Sequence, residues 1–133
     1  MIYRQYLWLF FCALVLAIGC SSTAPEIPEG VQVGGKVYLP DRTVLTGGRL
    51  VLVPVGGVFG ASAEIQPDGS FTLKNQREEA SVVPGKYRVY IKIDDAKLRR
   101  SIPEKYQNSE DGDSDIEVLI DRAQPNLEIR LKQ

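Results

Sequence analysis

The sequence predicts an all-β fold, a sandwich of about seven antiparallel β-strands in residues 31–133. Three features support this prediction. Apolar and polar residues alternate with a period of two over much of the segment, which is typical of strands with one buried face. Glycine- and proline-rich turn signals separate the alternating runs at short intervals. Residues 96–101 could form one helical turn at most, and no longer amphipathic helix is indicated.

The strands follow from the alternation and its exceptions. Residues 49–55 are apolar on both faces, which favours a central strand. Further strands are predicted at residues 31–39, 61–66 and 70–74. The remaining three show the clearest alternation, and their inward positions are Tyr87, Val89, Ile91 and Ile93; Ile116, Val118 and Ile120; and Leu127, Ile129 and Leu131.

Two turn signals punctuate these strands. Pro67-Asp68-Gly69-Ser70 predicts a hairpin turn, because Asp-Gly tolerates the positive φ that such turns require. Pro84-Gly85 predicts a second turn directly before the strand that contains Tyr87.

Length and composition limit the classes of function. A chain of 133 residues suffices for one domain, and its net charge of −1 implies no basic surface for nucleic acid. The sequence contains no histidine. This excludes Ser-His and Cys-His nucleophile pairs as well as imidazole metal sites. Metals bound through oxygen, such as calcium, remain compatible with the composition.

Residues 1–19 are predicted to be an export signal. Arg4 supplies a short positive region, and the apolar run of about a dozen residues that follows is shorter than the roughly 20 residues of a membrane-spanning helix. The segment Leu16-Ala17-Ile18-Gly19-Cys20 resembles the lipobox of bacterial lipoproteins. The resemblance implies cleavage before Cys20 and attachment of a lipid anchor to it. An ordinary signal peptide and an uncleaved membrane helix are the alternatives.

Residues 20–30 are predicted to be the lipidated cysteine and a flexible tether, since they contain two prolines, two glutamates and little to bury. Cys12 leaves with the signal, so Cys20 is the only cysteine of the mature chain and no intramolecular disulfide is expected. Ser21 follows the cysteine. By resemblance to the sorting rule of enteric bacteria, this implies the outer membrane, with the domain in the periplasm or at the cell surface.

The order of motifs in residues 31–133 resembles that of transthyretin-like domains, also called carboxypeptidase regulatory-like domains. The resemblance implies a seven-stranded, prealbumin-like sandwich, without implying an activity. Its most specific segments are expected to define the fold, Asp68-Gly69 by forming a turn and Phe71 and Tyr87 by pointing inward. The matching segments are Val33-Gly34-Gly35-Lys36-Val37, Val53-Pro54, Pro67-Asp68-Gly69-Ser70-Phe71-Thr72-Leu73, Val83-Pro84-Gly85-Lys86-Tyr87-Arg88-Val89, Ile102-Pro103-Glu104-Lys105-Tyr106 and Leu127-Glu128-Ile129-Arg130-Leu131.

Two enzyme activities associated with this fold are not expected here. Zinc carboxypeptidases need histidine ligands, and hydroxyisourate hydrolases depend on histidines and on a C-terminal Tyr-Arg-Gly-Ser. This chain has no histidine and ends in Leu131-Lys132-Gln133. A serine-lysine pair around Ser101 lacks any recognisable motif.

The acidic loop, residues 110–115, is a candidate calcium site. Its Asp111, Asp113 and Asp115 could supply oxygen ligands, and their spacing superficially resembles the start of an EF-hand loop. However, Ile116 occupies the position of the required glycine, and Glu117 comes too early to be the closing ligand. The alternative is a solvated loop.

Aromatic and apolar residues suggest two further contacts. Tyr90 alternates outward and Tyr106 lies in a loop, so both are expected to be exposed and able to stack on a glycan. Residues 56–60 form an apolar, glycine-rich loop. Its Val58 and Phe59 could be an exposed tip for partner contact, or could pack as a cap on the sandwich.

The sequence therefore predicts a non-enzymatic structural or protein-interaction module of the bacterial envelope, anchored in the membrane by lipid on Cys20. An unidentified envelope protein or polysaccharide is the expected partner. The alternative is a module that binds a glycan or calcium. No cofactor other than the covalent lipid is expected.

Overall fold

The structure, a computed structural model, describes Gly19 and residues 26–133. The described chain is almost entirely β, which confirms the predicted all-β sandwich. The two sheets have three and four strands. The seven strands are β1 (Val33–Tyr38), β2 (Arg49–Pro54), β3 (Ala61–Glu64), β4 (Ser70–Thr72), β5 (Gly85–Lys92), β6 (Glu117–Ile120) and β7 (Gln124–Arg130).

The strand order is β4-β1-β7 in one sheet and β3-β2-β5-β6 in the other. Of the five strand pairs in the described residues, four are antiparallel, as predicted, whereas β1 and β7 pair in parallel. The expectation of a purely antiparallel sandwich is therefore wrong at this pair. The chain reaches β7 from β6 by a short crossing between the sheets, and β7 then runs beside β1 from its first residue.

The core lies between the two sheets and includes six of the ten predicted inward positions; the other four, Ile93, Ile116, Val118 and Leu127, are partly buried against it. Tyr87, Val89 and Ile91 on β5 are buried, and Leu50 and Leu52 on β2 face them from the neighbouring strand. β2 pairs with both β3 and β5, which confirms its prediction as an interior strand. Core residues from other elements include Val33, Val37, Leu45, Phe71, Leu73, Val82, Ile102, Tyr106, Ile120, Ile129 and Leu131.

The turn predicted at Pro67–Ser70 is present, with Gly69 at a φ of 84°. The Asp68 carboxylate accepts bonds from the backbone N–H and hydroxyl of Ser70, which lowers the pKa of Asp68. The turn does not close a hairpin within one sheet, because β3 and β4 belong to different sheets. A bridge between Ser62 and Lys74 instead joins the two sheets at this edge. Phe71 and Tyr87 are buried, which confirms the prediction that both side chains point inward.

Gly35 permits the close approach of β1 to β7. A Cβ atom at this position would lie 1.8 Å from the carbonyl oxygen of Leu127. The register between the strands shifts between Val33 and Gly35, so the backbone irregularity requires a residue without a side chain.

The two ends of the sandwich differ in the segments they carry. At the entry end, where residues 26–32 lead into β1, lie the β2–β3 loop (residues 55–60), residues 82–84 before β5, and the β6–β7 turn (residues 121–123). Residues 73–81 start at the end of β4 and run along the edge formed by β3 and β4. At the far end lie residues 39–48 between β1 and β2, residues 65–69 between β3 and β4, the long β5–β6 connection (residues 93–116) and the C-terminal residues 131–133.

The helical residues of the described chain all lie in the β5–β6 connection. The helix α1 (Ala96–Arg99) is one turn long and begins after Asp95, whose carboxylate accepts from the backbone N–H groups of Lys97 and Leu98. This confirms the prediction of a single helical turn. A 3-10 turn (Glu104–Tyr106) follows and contacts β5.

Candidate functional site

The predicted site residues at the far end form a structural cluster. The Tyr106 hydroxyl donates to Asp115 Oδ1 over 2.5 Å and accepts from the backbone N–H of Lys132 over 3.1 Å. Lys105 Nζ lies 3.2 Å from Asp115 Oδ2 and 5.2 Å from the centre of the Tyr106 ring. These contacts connect the β5–β6 connection to the end of the chain and close the far end of the sandwich.

The same contacts set the protonation of the cluster. The pKa of Asp115 is lowered, first by the bond from the Tyr106 hydroxyl and then by Lys105. Burial raises the pKa of Tyr106, and the adjacent Asp115 carboxylate raises it further. The bond to Asp115 also raises the pKa of Lys105. The cluster is thus held as a neutral phenol between a carboxylate and an ammonium group.

The expectation that Tyr90 and Tyr106 are exposed is wrong. Tyr106 is 0% exposed, since the 3-10 turn directs its ring into the core. Tyr90 does point away from Tyr87 and Val89, but it is only 2% exposed. It lies on the interior strand β5, directly opposite Val51 of β2 and flanked along β5 by Arg88 and Lys92, whose stems can cover a ring. Neither ring has a face available to stack on a sugar.

The acidic loop does not gather its three predicted calcium ligands. Asp115 is engaged with Tyr106 and Lys105, and Asp111 accepts from the Asn108 side chain over 2.7 Å. Asp111 and Asp113 line one hollow together with Glu104 and Lys105, whereas Asp115 is not part of it. Among the described residues, no group of three Cys, Asp or Glu side chains is placed to hold a metal ion. Calcium binding by Asp111, Asp113 and Asp115 stays a prediction from the sequence.

In the apolar β2–β3 loop, Val58 and Phe59 differ in exposure, so neither an exposed tip nor a packed cap describes both residues. Val58 is 81% exposed, whereas Phe59 is half-buried. Both line a small hollow of about 190 Å³ with Val83 and Pro84 from the segment before β5. The loop therefore uses Phe59 for packing and presents Val58 to solvent.

A groove that the sequence did not reveal lies on the outer face of the three-stranded sheet. It has a volume of about 880 Å³ and runs along β1 between β4 and β7. Gly34, which pairs with Thr72, forms the bottom of the groove. Because it faces outward and has no side chain, the groove is deep at this point. The walls are formed by residues of β4 and β7, and the lining side chains used below are Lys36, Ser70, Thr72, Asn126 and Glu128.

The groove exposes more apolar than polar surface, and Lys36 is the one cationic side chain among the described residues that line it. Lys36 lies between Ser70 of β4 and Glu128 of β7. Its ammonium group forms no hydrogen bond or ion pair with the described residues, but it is near enough to Asp68 to help lower the pKa of that carboxyl group. Glu128 is instead paired with Arg130 at 2.9 Å. Arg130 also lies 5.2 Å from the centre of the Tyr38 ring. The Lys36 ammonium, hydroxyls and an amide are the groups offered to a ligand. Gly34 and Gly35 could have suggested such a surface from the sequence. The position of Lys36 opposite Glu128 could not be predicted, because it depends on the parallel pairing of β1 with β7.

Cys20, the predicted lipidation site, lies outside the described residues, as do Ser21 and residues 1–18 of the predicted signal. No helix in the described part of the chain has the length and apolarity needed to cross a membrane. Neither a protein-family model, nor a curated protein, nor a solved structure matches this chain.

Proposed function

We propose that this chain is a lipoprotein of the bacterial outer membrane that acts as a non-enzymatic interaction module, anchored through Cys20. The apolar run and Leu16-Ala17-Ile18-Gly19-Cys20 support the anchor. Its transthyretin-like identity is part of the same proposal and rests on the motifs around Asp68 and Tyr87.

The groove beside β1 is the observation that carries the interaction role. It lies along the flank of the sandwich, on neither of its ends, so a tether at the entry end leaves it accessible. Specific recognition needs polar groups placed around a concave surface. Lys36, Thr72 and Asn126 provide such groups on three neighbouring strands or their flanks. An acidic or amide-rich segment of an envelope protein fits this chemistry.

The anchor is tested by growing cells with an alkyne-bearing fatty acid and reading its attachment to the protein. Wild type is expected to be labelled, and Cys20→Ser to lose the label and accumulate as the longer precursor. Cys12→Ser is the matched control, because Cys12 lies within the predicted signal. Label on the Cys20→Ser protein would contradict the anchor.

The interaction role is tested by photocrosslinking in intact envelopes. A photoreactive residue at Asn126 is expected to give a discrete crosslinked product that Lys36→Glu diminishes. The same residue at Asp113, in the acidic loop at the far end, is the control. The same product from both positions, or its persistence with Lys36→Glu, would contradict recognition by the groove.

A glycan in the same groove is the second candidate, favoured by the hydroxyls of Ser70 and Thr72 and the amide of Asn126. A ligand that binds only the folded chain raises its melting temperature, with about 2.7 kcal/mol of added stability at a hundred times its Kd. Envelope glycans at millimolar concentration should therefore raise the Tm of wild type and not of Asn126→Ala. The same melt with calcium and with EDTA tests the acidic loop.

A further inference from the structure

The exposed large aliphatic side chains of the described residues collect at the entry end. Val55 is 42% exposed, Leu119 is 60% exposed, and Val58 is the most exposed of the three. Val55 and Leu119 stand on either side of Lys86, because the Val55 N–H donates to the Lys86 carbonyl over 2.8 Å and Lys86 pairs in register with Leu119. We call Val55, Val58 and Leu119 the apolar tip.

The N-terminal segment reaches the domain beside this tip. Val31 and Val82 exchange two backbone hydrogen bonds of 2.8 Å each. The next residues, Val83 and Pro84, line the small hollow together with Val58. A single segment, residues 82–84, therefore contacts both the incoming chain and the tip.

The length of chain before Val31 limits how far the tip can lie from an anchor at Cys20. About eleven peptide units span at most roughly 40 Å when fully extended. A short flexible linker gives the tethered domain an effective concentration on the order of millimolar at the anchoring surface. At this concentration the tethered domain can make an apolar contact that would be too weak to recruit it from solution. The entry end is the end that the tether holds nearest to the surface.

The charges around the tip favour an apolar contact over attraction to acidic headgroups. Lys86 lies 3.9 Å from Glu117, and Arg122 lies 4.0 Å from Asp121. Glu117 also pairs with Arg88 at 3.5 Å, so three cations share two carboxylates and only about one positive charge is left to attract an anionic surface. Valine and leucine side chains gain free energy on leaving water at the acyl boundary of a bilayer.

We propose that the apolar tip rests on the lipid bilayer that holds the anchor, so that the sandwich stands on its entry end. This inference rests on the proposed lipid anchor at Cys20. The occupant is the bilayer surface itself, and the contact requires no acidic lipid. The groove beside β1 and the far end then both remain in the aqueous phase.

The test uses chemical coupling of residues 20–133 to a maleimide lipid in phosphatidylcholine vesicles, through the thiol of Cys20. This chain retains the complete described core, which extends from Val33 to Leu131. It contains no tryptophan, because Trp8 is the only one in the sequence. Val58→Trp therefore gives a single reporter at the tip, and Asp113→Trp gives the matched control at the far end.

Val58→Trp is expected to shift its emission to the blue on coupling and to be quenched by lipids brominated along the acyl chains, with little dependence on salt. Asp113→Trp should do neither. Emission unchanged at both positions, or quenched equally at both, would overturn the proposal. Chemical coupling replaces the cellular anchor, so this result does not depend on the fatty-acid labelling of Cys20. If Cys20 is not labelled in cells, only the proposed anchor is contradicted, and the contact of the tip with lipid is still decided by the vesicle experiment.

Discussion

The two ends of the sandwich reverse the expectation drawn from residue type. At the far end, an aromatic residue in a loop, Tyr106, is fully buried and its hydroxyl is bonded to Asp115 and to the Lys132 backbone. At the entry end, Val58 stands in solvent. The far end is closed by polar bonds around a ring, and the entry end is left apolar beside the incoming chain. In this domain an aromatic loop residue therefore contributes to packing, whereas the exposed aliphatic side chains form the surface available for contact.

The largest expected effect is the loss of the ring at the far end. Tyr106→Ala should destabilise the domain by about 3–5 kcal/mol, because it removes a fully buried ring from the core. Phe59→Ala at the entry end should cost less, since Phe59 is only half-buried. Urea denaturation of both variants measures the difference. An equal or larger loss for Phe59→Ala would contradict the contrast between the ends.

Removal of the hydroxyl alone should have an intermediate effect. Tyr106→Phe keeps the ring but leaves the Asp115 carboxylate and the Lys132 N–H without this partner. A cost of about 1–3 kcal/mol is expected for the groups left unsatisfied. Tyr38→Phe is the control, because the Tyr38 hydroxyl forms no hydrogen bond with any described residue. Equal unfolding curves for wild type and Tyr106→Phe would show that the far end does not depend on these bonds.

Acid should weaken the far end in a way that depends on Asp115. The pKa of Asp115 is lowered from its ordinary value of 3.8, so the folded state favours its ionised form. Its contribution is complete above that value and is lost as the pH falls through the lower folded-state pKa. Asp115→Asn should therefore lower the Tm at neutral pH. On acidification the Tm of this variant should fall by fewer degrees than the Tm of wild type. Asp113→Asn should follow wild type at both pH values.

The smallest effect on stability is expected at the tip. Val58→Ser should change the free energy of unfolding by less than about 0.5 kcal/mol, because the side chain is mostly exposed in the folded state. Thermal melts of the uncoupled chain check this. A large destabilisation would mean that Val58 packs as a structural cap and is not free for contact.

The sequence pattern was sufficient for the strands and most of the core. Alternation placed Tyr87, Val89 and Ile91 on the buried face, and the Asp68-Gly69 signal placed the turn. These predictions succeed because a period of two assigns each residue to one face of its own strand. The same pattern says nothing about what neighbours cover the other face, which is why Tyr90 was wrongly expected to be exposed.

Features that depend on distant strands could not be predicted. The parallel pair of β1 with β7 joins segments at opposite ends of the domain sequence, and it creates the groove around Lys36. The bond between Tyr106 and Asp115 likewise depends on how the β5–β6 connection folds back on itself. At the tip, the sequence leaves two alternatives open for Val58 and Phe59, and only the packing of Phe59 against residues 83–84 distinguishes them.

The most direct test of the contrast between the two ends is amide hydrogen exchange of the full protein in two states. In one state the protein is in native envelope vesicles; in the other it has been extracted from them with detergent, which is then removed. Peptides covering residues 55–60 are expected to exchange more slowly in the membrane, while peptides covering residues 110–115 exchange at the same rate in both states. Slower exchange at residues 110–115, or unchanged exchange at residues 55–60, would contradict an entry end that rests on lipid and a far end that faces water.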